Sequence, residues 1–298
     1  MASLREWFDA LRRLPVQDVV GINRRNAELI YPNNDRRNFR YADDKLLAKV
    51  ILQAAGVPVP VTLAVCDGLY AVDQTVEALS AHEAFVVKPS QSSGGVGILV
   101  LTGRTSSGAW LTPGGSRVDR AGLRRHLADI VFGAYGNRMS DTAYAETMVR
   151  PHPFFRTLWA EGLSDVRILA HDGVPFMAML RVPTRASEGR ANLHQGGIGV
   201  AVQLETGCVS RALWRGMLIE RHPESGADLL GLEIPSWARI LDVARLAASA
   251  VPLGYLGVDI VVDTVGQPLV LEVNVRPGLE IQNVHGESIE VALRRARA

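Results

Sequence analysis

The sequence predicts an α+β fold built from mixed or antiparallel sheets. Apolar strand segments occur in pairs joined by short turns, which is typical of β-hairpins. Helical segments with one apolar face lie between these strands but do not alternate with them one to one, as βαβ units require. The chain has 298 residues, of which 47% are apolar, so it is long enough for about two domains with buried cores.

Periodicity and stop signals place the elements in order. Residues 4–14 predict an amphipathic helix that Pro15 ends, and residues 21–40 form an Arg- and Asn-rich segment of short helix and loop. Further helices are predicted over residues 43–55, 73–81, 120–132 and 236–251 and after residue 286. Strands are predicted at residues 84–89, 97–101 and 143–149 and in a run after residue 151, with a variable loop over residues 106–117.

Composition excludes several classes of protein. With 32 basic and 31 acidic residues, charge alone indicates neither a nucleic-acid partner nor a membrane surface. The longest uncharged stretch, residues 50–66, contains one glycine and two prolines, so no membrane insertion is predicted. The amino terminus lacks the apolar core of a signal peptide, which predicts a cytoplasmic protein. Cys66 and Cys208 lie far apart, so neither a disulfide framework nor a zinc site is expected.

Lysine is rare in this chain and therefore informative. Of the 32 basic residues 29 are arginine, and the lysines are Lys45, Lys49 and Lys88. A lysine ammonium makes a compact point contact with phosphate, whereas a guanidinium is a planar fork. Chance is the alternative explanation, and we favour it for Lys49, which lies on a plainly helical stretch.

A glycine-rich segment, PSQSSGGVG, follows the strand that ends in Lys88. Successive small residues let the backbone approach an anion and turn N–H groups towards phosphate oxygens. It is not a Walker A loop, because no Gly-Lys-Ser/Thr follows, and not GxGxxG, because Val100 stands where the third glycine would be. The segment therefore resembles a phosphate-binding loop, and a flexible hairpin loop is the alternative.

The segment GVDIVVDTVGQPLVLEVNVRPG predicts a hairpin with one polar and one apolar face. A turn centred on its Val-Gly pair places Asp259 opposite Glu272, and Val261 opposite Val270. Asn274 falls on the same face as Glu272. The opposite, apolar face is predicted to contain Val258, Ile260, Val262, Leu269, Leu271, Val273 and Val275.

The polar face of this hairpin predicts a metal site. Two carboxylates held opposite each other repel, and each raises the pKa of the other unless a cation lies between them. Asp259, Glu272 and Asn274 offer only oxygen ligands, which suits Mg²⁺ or Mn²⁺ bound jointly with phosphates and excludes a typical zinc site. A solvated polar strand face is the alternative.

The lysine-bearing glycine loop followed by a carboxylate and amide hairpin resembles the ATP-grasp family. The resemblance covers roughly residues 43–286, and its most specific segments are GVDIVVD…LVLEVNVRPGLE and ANLHQGG. These segments look most like ribosomal-protein α-L-glutamate ligases. The resemblance implies an ATP-grasp fold in which two α+β subdomains clasp ATP.

The resemblance also implies which residues bind ATP. The lysines contact its phosphates, the loop over residues 90–97 closes over them, the segment ETMV meets adenine through its backbone, and Asp165 contacts the nucleoside. The implied ATP-binding residues are Lys45, Lys88, Ser92, Ser93, Gly94, Gly95, Glu146, Met148, Val149, Asp165 and Asn192. The same match makes Asp259, Glu272 and Asn274 ligands of Mg²⁺ or Mn²⁺.

The implied reaction joins a carboxylate to an amine. A small-molecule or peptide carboxylate attacks the γ-phosphate to give an acyl phosphate, which an amine then attacks. Lys88, Arg190 and the metal serve the first step, and Arg276 or Arg181 stabilises the oxyanion of the second. His194 is a candidate base for the amine, and a structural hydrogen-bonding role is its alternative.

The predicted domains are a reduced region over residues 1–42, a linker helix and small subdomain over 43–149, and a large subdomain with the metal site over 150–298. Two features depart from the nearest relatives: an aromatic, basic insertion at 151–160, and Arg276 in place of a small residue. Arg276 either holds a substrate carboxylate or pairs with Glu280.

Three other functions stay open at this point. A kinase of the same fold would stop after phosphorylating its acceptor, and a nucleotide-binding module would turn nothing over. An Arg-rich nucleic-acid binder would show a steep salt dependence. The amino-terminal region is a candidate surface for forming a homo-oligomer or for docking an acceptor protein.

Overall fold

The computed structural model describes residues 19–92, 94–136 and 140–297. The helix predicted at 4–14 and the predicted loop residue Ser93 lie outside the described residues. Within them, the chain forms antiparallel sheets of four, seven and three strands with helices packed on them. The α+β prediction is confirmed.

The secondary structure is as follows. The strands are β1 (Thr62–Cys66), β2 (Phe85–Pro89), β3 (Leu99–Leu101), β4 (Gly103–Arg104), β5 (Trp110–Leu111), β6 (Arg117–Val118), β7 (Ala143–Thr147), β8 (Asp165–His171), β9 (Val174–Val182), β10 (Ile198–Val202), β11 (Val209–Trp214), β12 (Met217–Ile219), β13 (Tyr255–Val262) and β14 (Pro268–Asn274). The main helices are α1 (Lys45–Ala54), α2 (Val72–Leu79), α3 (Arg120–Val131), α4 (Pro153–Leu158), α5 (Trp237–Ala250), α6 (Glu280–His285) and α7 (Ile289–Arg297). Shorter helical turns cover Ile22–Arg24, Arg25–Ile30, Arg36–Asn38, Arg40–Asp43, Leu69–Ala71 and Leu193–Gln195. In the part of the chain described, no helix is long and apolar enough to cross a membrane.

The smaller of the two main sheets has the strand order β1-β7-β2-β3, and helices α2 and α3 pack beside it. A three-stranded sheet, β4-β5-β6, forms where the sequence predicted a variable loop over residues 106–117. Trp110 explains the difference, because its ring is fully buried edge-on against Phe85 and its Nε1 donates to the carbonyl of His82 at 3.0 Å. One buried aromatic anchor therefore orders a segment whose other residues are mostly polar or glycine.

The larger sheet has the strand order β12-β11-β10-β9-β8-β13-β14 and is antiparallel throughout. Helix α5 contacts β8, β9, β13 and β14, while α6 and α7 contact strands from β9 to β11. Strand β13 is buried along its whole length. The side chains that β13 presents are therefore fixed by packing as well as by its two hydrogen-bonded neighbours.

The apolar side chains divide into two cores, and the division does not follow the predicted domain limits. The smaller core lies within residues 66–145. The larger core includes Val20, Ile30, Phe39, Leu52 and Val59, together with the apolar residues after residue 154. Helix α1, which the prediction grouped with the small subdomain, therefore packs with the larger core.

Helix α1 begins where the sequence predicts it, because Asp44 caps it. The Asp44 carboxylate accepts hydrogen bonds from the backbone N–H groups of Leu46 and Leu47 at 3.0 and 3.1 Å, as a capping residue does. Gly56, with a φ of 76°, follows its end. The buried side chains of α1 are Ala48, Lys49 and Leu52, so the inward face carries a lysine.

The β13–β14 hairpin confirms one predicted pair and corrects another. Asp259 lies opposite Glu272 as predicted, but Val270 lies opposite Ile260, because the register shifts between Asp259 and Ile260. The shift is a β-bulge, in which one strand has an extra residue, here Leu271. Consequently Val270 and Val273 are both buried, whereas Leu269 and Leu271, predicted on the apolar face, are only half-buried.

Candidate active site

A row of polar and charged side chains crosses four neighbouring strands of the larger sheet. The registers pair Asp165 with Arg181, Arg167 with Asp259, Asp259 with Glu272, and Gly257 with Asn274. The row runs from β9 through β8 and β13 to β14 and consists of Arg181, Asp165, Arg167, Asp259, Glu272 and Asn274. Adjacent members from Arg181 to Asp259 carry opposite charges, Asp259 and Glu272 carry the same charge, and Asn274 is neutral, so the row neutralises itself over most of its length.

Asp259, a predicted metal ligand, is enclosed by arginines. Its carboxylate accepts two hydrogen bonds from Arg167, at 2.7 and 2.6 Å, and one from Arg181 at 2.8 Å. The Nδ2 of Asn274 donates to the same carboxylate at 3.2 Å. Burial alone would raise the pKa of Asp259, but the two guanidinium groups outweigh burial and hold that pKa well below its usual range. The guanidinium groups of Arg167 and Arg181 therefore supply a positive charge beside Asp259, where the hairpin pattern predicts a cation.

Asp165 and Arg181 form a second buried pair in the same row. Both oxygens of Asp165 accept from Arg181, each at 2.6 Å. Burial raises the pKa of Asp165 to about 6 despite this partner, and nearby Asp259 adds to the rise. The two carboxylates outweigh the effect of burial on Arg181 and raise the pKa of its guanidinium. The two side chains are therefore partners of each other, whereas the sequence predicts that Asp165 contacts the nucleoside and that Arg181 stabilises an oxyanion.

Glu272 and Asn274 are better placed to hold a metal ion than Asp259. The side chain of Glu272 is 33% exposed, and its Oε1 lies 4.0 Å from the Nζ of Lys45. Because Asn274 donates its amide N–H to Asp259, its amide oxygen is left for another partner. These oxygen ligands suit a hard divalent ion that also binds phosphates. The described residues contain no cluster of three or more His, Cys, Asp or Glu side chains able to hold a metal by themselves.

Lys45 connects the glycine loop to the hairpin. Its Nζ donates to the carbonyl oxygen of Ser92 in the loop and lies 4.0 Å from Glu272 on β14. Its backbone N–H donates to the carbonyl of Ser90 at 3.0 Å. The two motifs that the sequence singled out, more than 160 residues apart, therefore face one space.

Lys88 and Lys49 converge on one buried carboxylate, that of Glu146. Lys88 pairs with Oε1, and Lys49 donates to Oε2 at 2.6 Å. Burial raises the pKa of Glu146, but the two ammonium groups outweigh burial and lower it below its usual value. Sequence reasoning missed Lys49. The available signal was its position four residues after Lys45 in a chain with only three lysines, which places both on one helix face.

The glycine loop is anchored at both ends and open between them. Ser90 donates through its Oγ to Asp44 at 2.6 Å, and the N–H of Gln91 donates to the carboxylate of Asp141 at 3.1–3.2 Å. Gly97, with a φ of 77°, is so close to its neighbours that a Cβ would lie 2.7 Å from the Tyr135 ring. Gly94 also has a positive φ, and a Cβ there would meet nothing within 4 Å. The loop thus has open space beside Gly94.

The segment between β9 and β10 brings Arg190 to this loop. A Cβ at Gly95 would lie 3.5 Å from the Cδ of Arg190, so the arginine stem lies over the loop. Asn192 caps the turn Leu193–Gln195 by accepting from the backbone N–H of His194 at 3.1 Å. His194 itself is exposed. Arg190 therefore lies over the glycine loop, where its phosphate-binding role stays a prediction, while the Asn192 side chain stabilises its own turn.

Arg276 and the insertion lie at the edges of this arrangement. Arg276 pairs with Asp43 at 3.5 Å and lies over the ring of Phe39 at 4.8 Å, rather than pairing with Glu280. The insertion at 151–160 forms helix α4, whose apolar side chains pack in the larger core. Met148 and Val149 follow β7 and are half-buried.

Residues 24–297 match the family described as sugar-transfer associated ATP-grasp. The chain belongs to this family. The match covers nearly the whole sequence and confirms the resemblance to ATP-grasp proteins, whereas the closer likeness to ribosomal-protein glutamate ligases stays a prediction. A comparison with the curated proteins finds no match.

Solved ATP-grasp structures resemble this family member at low sequence identity. Biotin carboxylase from Campylobacter jejuni is 17% identical with a TM-score of 0.51, over 86% of this chain and 46% of that one. D-cycloserine synthetase DcsG is 19% identical with a TM-score of 0.47, over 87% of this chain and 69% of that one. The ATP-grasp ligase PsnB, complexed with a minimal precursor, is 17% identical with a TM-score of 0.48, over 89% of this chain and 61% of that one. The sugar-transfer associated chain thus has the ATP-grasp fold and spans about half to two-thirds of the length of these proteins.

Proposed function

We propose that this chain is an ATP-dependent ligase that activates a carboxylate as an acyl phosphate and joins it to an amine. The position of Lys45, in contact with the glycine loop and near Glu272, carries the proposal, because it brings both predicted phosphate-binding motifs to one space. The substrates are a carboxylate and an amine on small molecules or peptides.

The net positive charge of the site favours the binding of a polyanion. Five cations, Lys45, Lys49, Lys88, Arg167 and Arg181, face four carboxylates, Glu146, Asp165, Asp259 and Glu272. The cluster therefore has one excess positive charge. Arg190, whose stem lies over the glycine loop, pairs with the exposed carboxylate of Glu188 at 3.5 Å and so adds a cation but no further net charge. A triphosphate supplies the compensating negative charge, since buried charges need partners.

The chain contributes binding and charge neutralisation to the reaction. The substrate carboxylate attacks the γ-phosphorus, the bond to the β-phosphate oxygen breaks and ADP leaves; the amine then displaces phosphate and loses a proton. Lys88 and Arg190 bind the phosphates, and the loop N–H groups around Gly94 and Gly95 face their oxygens. Glu272 and Asn274 would hold Mg²⁺ or Mn²⁺, which when bound neutralises phosphate charge. Arg181 and Arg167 hold Asp259 in place beneath this site.

Isotope transfer tests the proposed chemistry directly. The purified chain is incubated with MgATP and a panel of ¹⁸O-labelled carboxylates with amines, including uronic acids and amino sugars because the family is described as sugar-transfer associated. Ligation transfers one ¹⁸O from the carboxylate to phosphate, and hydroxylamine in place of the amine traps the acyl phosphate as a hydroxamate. A kinase would instead leave a stable phosphorylated product without any amine. ATP binding with no ADP formed across the panel would favour a nucleotide-binding module and contradict the proposal.

Replacing Glu272 by alanine is expected to remove the divalent-ion dependence of nucleotide binding. Glu272 is the exposed carboxylate of the site, so its loss leaves Asn274 as the remaining predicted ligand outside the arginine pairs. Calorimetry with ATP, with and without Mg²⁺, measures the effect. The wild type should bind MgATP at least about tenfold more tightly than free ATP, and the variant should bind both alike. Equal Mg²⁺ dependence in the two proteins would show that the metal assignment is wrong.

A further inference from the structure

Glu146 is the shared counterion of two lysines that reach it from different parts of the chain. Lys88 comes from β2 and Lys49 from α1, and each ammonium binds a different oxygen of the carboxylate. The side chains of Glu146 and Lys49 are only 4% and 6% exposed. Lys49 also lies over the ring of Tyr144 at 5.4 Å. Neither charge has access to bulk water, so each depends on the other for compensation.

This geometry creates a conflict for Lys88. An ammonium whose charge is compensated by a buried carboxylate binds phosphate less strongly, and leaving that carboxylate without any cation is costly. Lys49 resolves the conflict, because it can compensate Glu146 alone while Lys88 turns to a phosphate. Lys49 is also unable to follow, since helix α1 holds it at the inward face beside Ala48 and Leu52.

We propose that Lys49 is a positioning residue that neutralises Glu146 and thereby releases Lys88 to bind the triphosphate. The inference rests on the proposed function, since it requires ATP in this site. Lys49 does not contact the nucleotide; it acts through Glu146. Removing the Lys49 ammonium leaves Lys88 as the single counterion of the buried Glu146 carboxylate, and the affinity of Lys88 for phosphate falls.

The test compares nucleotide affinities in a small set of variants of the full chain. Lys49→Met is expected to raise the Kd for ATP about 10- to 100-fold and to leave the Kd for adenosine unchanged, because adenosine has no phosphate for Lys88 to bind. The double variant Lys49→Met/Glu146→Gln should recover ATP affinity to within about threefold of the wild type, since a neutral amide no longer retains Lys88. Gln53→Met, on an exposed position of the same helix, is the matched control.

Each alternative role of Lys49 predicts a different set of binding results. If Lys49 bound phosphate directly, the double variant would stay as weak as Lys49→Met, and the inference would be overturned. If Lys49 were only structural, thermal unfolding would shift while the ratio of ATP to adenosine affinity stayed constant, which also overturns it. Should Lys49→Met fail to fold, the double variant, which has no buried carboxylate left to compensate, supports the inference by binding ATP normally and overturns it by binding weakly. Wild-type protein that binds no ATP would overturn the proposed function, whereas wild-type binding with Lys49→Met unaffected overturns this inference alone.

Discussion

Replacing Arg181 by methionine is expected to lower the free energy of unfolding by about 3–5 kcal/mol. Arg181 donates to both oxygens of Asp165 and to Asp259, all three side chains being buried. Methionine fills similar volume but leaves Asp165 with no cation in contact and Asp259 with Arg167 only. Urea unfolding followed by circular dichroism measures the loss.

Two further variants separate the charge effect from general damage. Arg181→Met/Asp165→Asn removes one buried charge of each sign and should recover at least half of the lost stability. Arg185→Met changes an exposed arginine four residues away and should alter stability by no more than about 0.5 kcal/mol. An Arg181→Met protein as stable as the Arg185→Met protein would contradict the role given to the buried row.

The loss of stability in Arg181→Met is expected to depend on pH in one direction. Burial already raises the pKa of Asp165 to about 6 in the presence of Arg181, and losing that cation raises it further. A carboxyl group with a raised pKa binds its proton more tightly in the folded state than in the unfolded state, where the pKa is about 3.9. The defect of Arg181→Met should therefore be largest near pH 8 and shrink as the pH falls towards 5. A constant defect across this range would show that Asp165 is not the group left uncompensated.

Lys88→Met is expected to weaken ATP binding about 30- to 1,000-fold, which corresponds to about 2–4 kcal/mol. The ammonium of Lys88 is 12% exposed and stands at the end of β2, where the glycine loop begins. Its removal takes away the proposed phosphate contact, which should be strong because the Lys88 side chain is largely sheltered from water. Calorimetric titration with MgATP gives the Kd.

The control for Lys88→Met is Arg117→Met, which removes an exposed cation from β6 of the same subdomain. That change should leave the Kd for MgATP within about twofold of the wild type, since the charge of an exposed side chain is screened by salt. Wild-type affinity in Lys88→Met would remove the main support for placing the triphosphate between the loop and the hairpin.

The parts of the site that depend on the local sequence pattern could be predicted. The turn between two alternating strands aligned Asp259 with Glu272, and the string of small residues after Lys88 located the loop. The bulge at Leu271 was not predictable, because Leu269, Val270 and Leu271 are all apolar and either register buries some of them. Neither hydrophobicity nor turn chemistry distinguishes the two registers.

Partners contributed by distant strands could not be predicted. Arg167 lies opposite Asp259 only because β8 pairs with β13. Arg181 and Asp165 lie on one hairpin, and the same β8–β13 pairing brings Arg181 within hydrogen-bonding distance of Asp259. The sequence reveals which residues are charged but not which strands become neighbours. The sequence therefore assigned Asp259 to the metal site, together with Glu272 and Asn274, without revealing its two arginine partners, and that assignment stays a prediction.

The division of the cores determines how the two units of the fold are joined. Lys45 and Lys49 lie on a helix that packs with the larger core, whereas Lys88 and Glu146 lie on strands of the smaller sheet and Ser92 lies in the loop after β2. The chain enters that sheet at β1 and leaves it at β7, and these two strands are hydrogen-bonded to each other. The smaller unit is therefore joined to the larger one through a single pair of hydrogen-bonded strands, and the contacts of Lys45 and Lys49 add a second connection between the two cores.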